Sequence, residues 1–181
     1  MYKYCPTLLL LMLTCSQLVG CAVTIPYGLY EDKRLVDTIA DDKATATSIK
    51  TDLMNAHFSD GWATSVYCYY GKVFLVGEVP PNMQGKAVEI ARKVKGVRSI
   101  TTHWFTALSS PENNLMLATK LRTNLIGMSG VSSTRIDTQV NSGRVVLLGV
   151  VNSATEKEKV ILAAKDTSGV TQVTDYLMLP Q

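Results

Sequence analysis

Few residues of this 181-residue chain stand at the spacings that chemistry requires. The two histidines, His57 and His103, have no Cys, His or acid at metal-ligand spacing. There is no Ser-His-Asp order, no Gly-rich phosphate loop and no pair of carboxylates in an apolar setting. The many Asp and Ser residues fall at predicted caps and turns. The sequence therefore predicts no catalytic residue, no metal and no cofactor, and the chain reads as a non-enzyme. Cys68 lies on a strand face that reads Val66, Cys68, Tyr70, which suits a small buried apolar residue better than a reactive thiol.

One pattern does suit a binding chemistry. A helix is predicted from about Asn113 to Ile126. At about 100 degrees per residue, Leu117, Ala118, Leu121 and Leu125 fall on one side, and Met116, Lys120, Thr123 and Ile126 on the other. Arg122 flanks the second group. An apolar stripe carrying a cation, and facing away from a core, suits insertion below lipid headgroups with the Lys at phosphate level. A solvated helix face with two stray apolar residues is the other reading of the same pattern.

Charge narrows the partners. Of the 18 basic residues 17 lie beyond position 21, as do all 15 acids, which leaves a balance of about +2 for that part. No basic run is interleaved with aromatics, so nucleic acid is not an expected partner. Lys86, Arg92, Lys93, Lys95 and Arg98 make one further helix and its exit basic. That cluster reads as a solvated face, with a secondary phosphate-facing patch as the alternative.

The elements that position these residues come from an internal repeat. Gly71 to Val79 and Gly143 to Val151 both read Gly, a cation, four large apolar residues, Gly, any residue, Val. The offset of 72 also relates Ile49-Lys50 to Leu121-Arg122, and Leu53 to Leu125. Past the apolar run the offset becomes 73 and relates Lys86-Ala87-Val88 to Lys159-Val160-Ile161, and Gly96-Val97 to Gly169-Val170. The units are residues 41–106 and 112–179, joined by a very short linker at 107–111 that contains Ser109-Ser110-Pro111.

Each unit reads as helix, strand, strand, helix, strand. The first helix begins at a cap, Asp41 or Asp42 in the first unit, and runs to about Phe58. Tyr70-Gly71 and Ser142-Gly143 mark tight hairpin turns. Second helices are predicted over 82–95 and 154–166, with Gly96 and Gly169 just past their ends. The last strand, reached through a helix, should pair parallel to a hairpin strand. The fold class is thus α+β, with a small three-stranded mixed sheet on two helices in each unit. Both central strands are apolar on both faces: Val73, Leu75 and Val79 alternate with Phe74 and Val76, and Val145, Leu147 and Val151 with Val146 and Leu148. At least one outer sheet face should therefore be covered by the other unit, with Tyr67, Tyr69 or Trp104 contributing.

The start of the chain reads as export and anchoring. Lys3 precedes an apolar run, Leu8 to Leu13, of signal-peptide length. Leu18-Val19-Gly20-Cys21 resembles the lipobox of bacterial lipoproteins, in which the Cys becomes the new N-terminus and carries acyl chains. Residues 1–20 are then a lipoprotein signal peptide, and 21–40 the lipidated Cys21 and a tether. Cys5 and Cys15 leave with the signal, so Cys68 remains without a disulfide partner. Ala22 after the Cys favours the outer membrane.

The element order, the Gly-cation-apolar-Gly motif and the late Gly-Val pairs together resemble the BON domain, over about residues 31–179. Two such units behind a lipobox resemble the dual-BON outer-membrane lipoproteins, with osmotically induced periplasmic BON proteins as more distant kin. The second unit is the closer match, notably Thr119-Lys120-Leu121-Arg122. The resemblance implies a lipid-anchored protein facing the periplasm. It implies binding of anionic phospholipid through the first helix of the second BON domain, placing Met116, Lys120, Arg122, Thr123 and Ile126 at the contact, in support of envelope integrity. A non-enzymatic scaffold that docks onto another envelope protein is the competing expectation.

Overall fold

The computed structural model describes residues 32, 34, 36–106 and 113–181. The expected signal segment, Cys21, most of the tether and the linker lie outside the described residues.

The first unit comprises α1 (Val36–Ala56), α2 (Phe58–Ala63), β1 (Thr64–Tyr69), β2 (Lys72–Gly77), α3 (Pro81–Lys93) and β3 (Ser99–Trp104). The second comprises α4 (Asn114–Ile126), a short 3-10 turn (Ser133–Arg135), β4 (Ile136–Asn141), β5 (Arg144–Val150), α5 (Ala154–Asp166) and β6 (Gln172–Met178). Two expectations for α1 need correction. It starts at Val36, so Asp41 and Asp42 lie within it and neither caps it. It also stops at Ala56, where His57 turns extended, and the chain re-enters a helix at Phe58.

Each sheet has the repeat motif at its centre. β2 pairs antiparallel with β1 and parallel with β3, and β5 does the same with β4 and β6. Val73 stands opposite Cys68 and Ile100, and its counterpart Val145 opposite Val140 and Val173, so the two registers coincide. The hairpin turns place both central residues at positive φ: 55° and 73° for Tyr70-Gly71, 48° and 81° for Ser142-Gly143. A two-residue turn whose twist matches the strands requires that conformation, and the second Gly adopts it without a Cβ penalty.

The alternation of each strand divides its side chains between two layers. Val73 and Leu75 pack with Ile49, Leu53, Ala87 and Ala91 under α1 and α3. Val145 and Leu147 pack with Leu121, Leu125, Val160 and Ala164 under α4 and α5. The opposite faces meet each other: Tyr69, Phe74, Val76 and Phe105 form one cluster with Val146, Leu148 and Val150. Helices, sheet, sheet, helices is therefore the layer order. The expected cover by the other unit is present on both sheets, with Tyr67 and Tyr69 in it. Trp104 is not. It shares the face of Ile100 and packs into the first unit's own core.

Candidate functional site

The stripe on α4 is built by the burial of its opposite side. Leu117, Leu121 and Leu125 recur about one turn apart and are buried, while Ala118 is half-buried. That pins the rotation of the helix. Met116, Lys120, Arg122, Thr123 and Ile126 are all exposed, Met116 at 65% and Ile126 at 63%. Leu115, which the sequence reading left out, is exposed at 81% and adds a second large apolar side chain to the first turn. Arg122 is not a free flanking charge. One guanidinium nitrogen donates to the Ile136 carbonyl at 2.9 Å and ties α4 to the start of β4.

A cleft of about 410 Å³ opens beside this stripe. Met116 and Lys120 form its helical wall, and Ser142, Ser168 and Thr171 line the loops opposite. A cation and hydroxyls beside exposed apolar side chains make a surface suited to a phosphate headgroup with its acyl chains. The corresponding stripe of the first unit differs. Ala44, Ser48 and Thr51 are exposed but small, and Met54 is partly covered. Lys86, Arg92, Lys93, Lys95 and Arg98 are exposed on and after α3, as a solvated face would be.

Asp42 is a further residue that the sequence reading misplaced. Its carboxylate is buried and accepts the backbone N–H of Tyr70 and of Gly71, each at 2.8 Å. It also accepts from the Arg34 guanidinium at 2.8 Å and from Cys68 Sγ at 3.3 Å. Arg34 is held in turn by Asp32 and lies over the Tyr69 and Tyr70 rings. Burial works against that guanidinium's charge, but the two carboxylates outweigh it and raise its pKa. Burial and the Asp42 carboxylate push the Cys68 thiol up to about 12, so it is not a nucleophile at neutral pH. In the second unit Asn114 takes the place of Asp42 and accepts the Ser142 N–H at 2.7 Å. The offset of 72 between these two turn-holding residues was available in the sequence, because the repeat could have been tested at every polar position.

The two histidines are apart. His57 pairs with Asp60 at 2.8 Å on the surface, and His103 meets the Tyr176 hydroxyl at 3.3 Å between the sheets. Among the described residues no group of three or more His, Cys, Asp or Glu could hold a metal ion, and no helix is long and apolar enough to cross a membrane.

Among solved structures, the chain is similar to two of CdsD, a structural protein of the type III secretion system of Chlamydia trachomatis, at 14% and 15% identity and a TM-score of 0.31 for each. The matches cover 77% of this chain and 67% and 63% of those chains. The family model described as the BON domain matches residues 41–103 and 113–179. Each match runs from within a unit's first helix, or just ahead of it, to its last strand. With both repeat units matched over most of their length, this chain belongs to the BON-domain family.

Proposed function

We propose that this protein is a non-enzymatic, lipid-anchored protein of the bacterial outer membrane. It faces the periplasm, binds anionic phospholipid through α4 of its second BON domain and supports envelope integrity. The observation that carries the reading is the exposure of Met116 beside Lys120 at the rim of the cleft, with Leu115 exposed in the same turn, on a helix whose other side is locked in the core. Burying two such side chains at the interface contributes at most about 1.5–3 kcal/mol each. A cation near an anionic surface adds about 1 kcal/mol. That is marginal for a free protein and effective for a tethered one, because an acyl chain on Cys21 raises the local concentration of membrane. The α4 surface then orients the protein, and Cys21 anchors it.

Flotation of the unacylated chain with phosphatidylglycerol vesicles tests the site. Met116→Glu and Ile126→Glu should weaken flotation roughly tenfold while thermal unfolding stays unchanged, since both side chains are exposed. Lys120→Glu should act alike, with an effect that shrinks at high salt. Unchanged flotation in all three would discard the lipid site in favour of a protein-docking scaffold. The anchor has its own test. Cys21→Ser should abolish acylation and release the protein from the outer-membrane fraction, and a wild-type N-terminus other than Cys21 would refute it.

A further inference from the structure

The first unit also displays large apolar side chains, in a place built to hold them. Phe58 and Trp62 sit one turn apart on α2, with their rings stacked at 6.3 Å and exposed at 66% and 70%. The helix beneath them is firmly seated. Gly61 is buried against α1, where a Cβ would come within 2.5 Å of the Met54 nitrogen. The Lys50 ammonium donates to the carbonyls of Gly61, Trp62 and Thr64 at 2.7, 3.1 and 2.7 Å, which satisfies the end of α2. Its own burial lowers its pKa, and it lies 5.9 Å from the centre of the Trp62 ring. The Thr64 hydroxyl donates to the Asp60 carbonyl at 2.7 Å. These rings are thus presented on a rigid platform.

The platform shares an end of the molecule with the α4 site. Between the sheets, the Tyr69 hydroxyl donates to Asp137 at 2.6 Å and the Gln139 amide donates to the Tyr67 hydroxyl, so β1 and β4 run antiparallel. Asn141 donates to Glu78 at 3.1 Å, and Arg144 to the Thr106 carbonyl at 2.8 Å. The turn at Ser142-Gly143 therefore lies where β1 begins, directly after α2. That same turn lines the cleft with Met116 and Lys120. The Asp32–Arg34–Asp42 clip is at the opposite end, beside Tyr69 and Tyr70.

We infer that the Phe58–Trp62 pair is a second membrane contact, which enters the headgroup region of the bilayer that α4 touches. The inference rests on the lipid reading of α4. Aromatic rings of this kind settle at the boundary between headgroups and acyl chains. The pair offers roughly 200–350 Å² of apolar surface, taking about 150–250 Å² for each whole side chain. That is well short of the roughly 800 Å² that each partner buries in a specific protein complex, but enough for an interfacial contact. The chain length agrees. The ten residues between Cys21 and Asp32 reach at most about 36 Å. Strands of six or seven residues make the sheets only about 20 Å tall, so a tether clipped at one end can return to a membrane at the other.

The test uses the full chain carrying Trp104→Phe, which leaves Trp62 as the only Trp, reconstituted into vesicles of equal parts phosphatidylglycerol and phosphatidylcholine. Trp62 emission should shift to the blue, acrylamide quenching should fall severalfold, and lipids brominated near the glycerol end of the acyl chain should quench it. The Trp62→Phe protein, in which Trp104 alone emits, supplies the blank for the natural chain should Trp104→Phe disturb the core. If Trp62 stays open to acrylamide while Met116→Glu still weakens flotation, this inference falls and the α4 site stands. If Trp62 stays open and Met116→Glu has no effect, both fall. Shielding that appears without vesicles and grows with protein concentration would assign the rings to a second copy of the chain and overturn the membrane contact.

Discussion

The carboxylate of Asp42 serves two backbone donors of the β1–β2 turn and a guanidinium at once, in a site that is 4% exposed. Asp42→Ala should leave the Tyr70 and Gly71 N–H groups without their acceptor and the Arg34 guanidinium with Asp32 alone. Truncating one partner of such a network costs on the order of 3 kcal/mol. The repeat supplies the control. Asn114 holds the equivalent turn with a neutral amide oxygen. Asp42→Asn should therefore keep a turn acceptor, lose the attraction for Arg34, and cost roughly half as much. Urea unfolding of the two variants checks this, and equal midpoints for Asp42→Ala and the natural protein would show that the turn holds without its acceptor.

At the scale of elements, what the sequence revealed and what it concealed separate by cause. The ends of α4 and α5 were legible to about a residue, because apolar side chains recur at helical spacing and Asn or Ser precedes them. Ser153 does cap α5, accepting the Glu156 N–H at 3.1 Å. The start of α1 was misread because Asp41-Asp42 imitates a cap, whereas Asp42 answers to a turn 28 residues away. No local rule reveals such a partner. The helix α2 was missed because Gly61 resembles a breaker, although it is the close approach of α1 that requires a Gly there. Met116, Lys120, Thr123 and Ile126 were readable from angle alone, since they lie opposite the Leu stripe. Leu115 falls about 20 degrees from Ile126 by the same angle, so its exposure was readable too, although the stripe was drawn without it. Trp104 went to the wrong layer because its face is set by the register of β3 on β2, where Gly77 stands opposite it.

At the scale of the whole molecule, the two units act as one body through the sheet-to-sheet layer, and that layer contains a titratable group. The His103 ring lies edge-on to Phe105 at 5.0 Å and to Tyr176 at 6.0 Å, with its Nδ1 3.3 Å from the Tyr176 hydroxyl. Burial, and then the neighbouring Arg144 guanidinium, lower its pKa. The unfolded chain therefore takes up a proton at a higher pH than the folded one does. Between the two values the unfolded state holds more protons, so stability rises with pH across that window and is lost as pH falls through the ordinary His value of about 6.5. His103→Phe keeps an aromatic ring between Phe105 and Tyr176 and removes the titration. From about pH 7 to about pH 5 the thermal midpoint of the natural protein should fall further than that of His103→Phe. Most carboxylates titrate below this range and are common to both proteins. Midpoints that fall in parallel would place the acid sensitivity elsewhere in the fold.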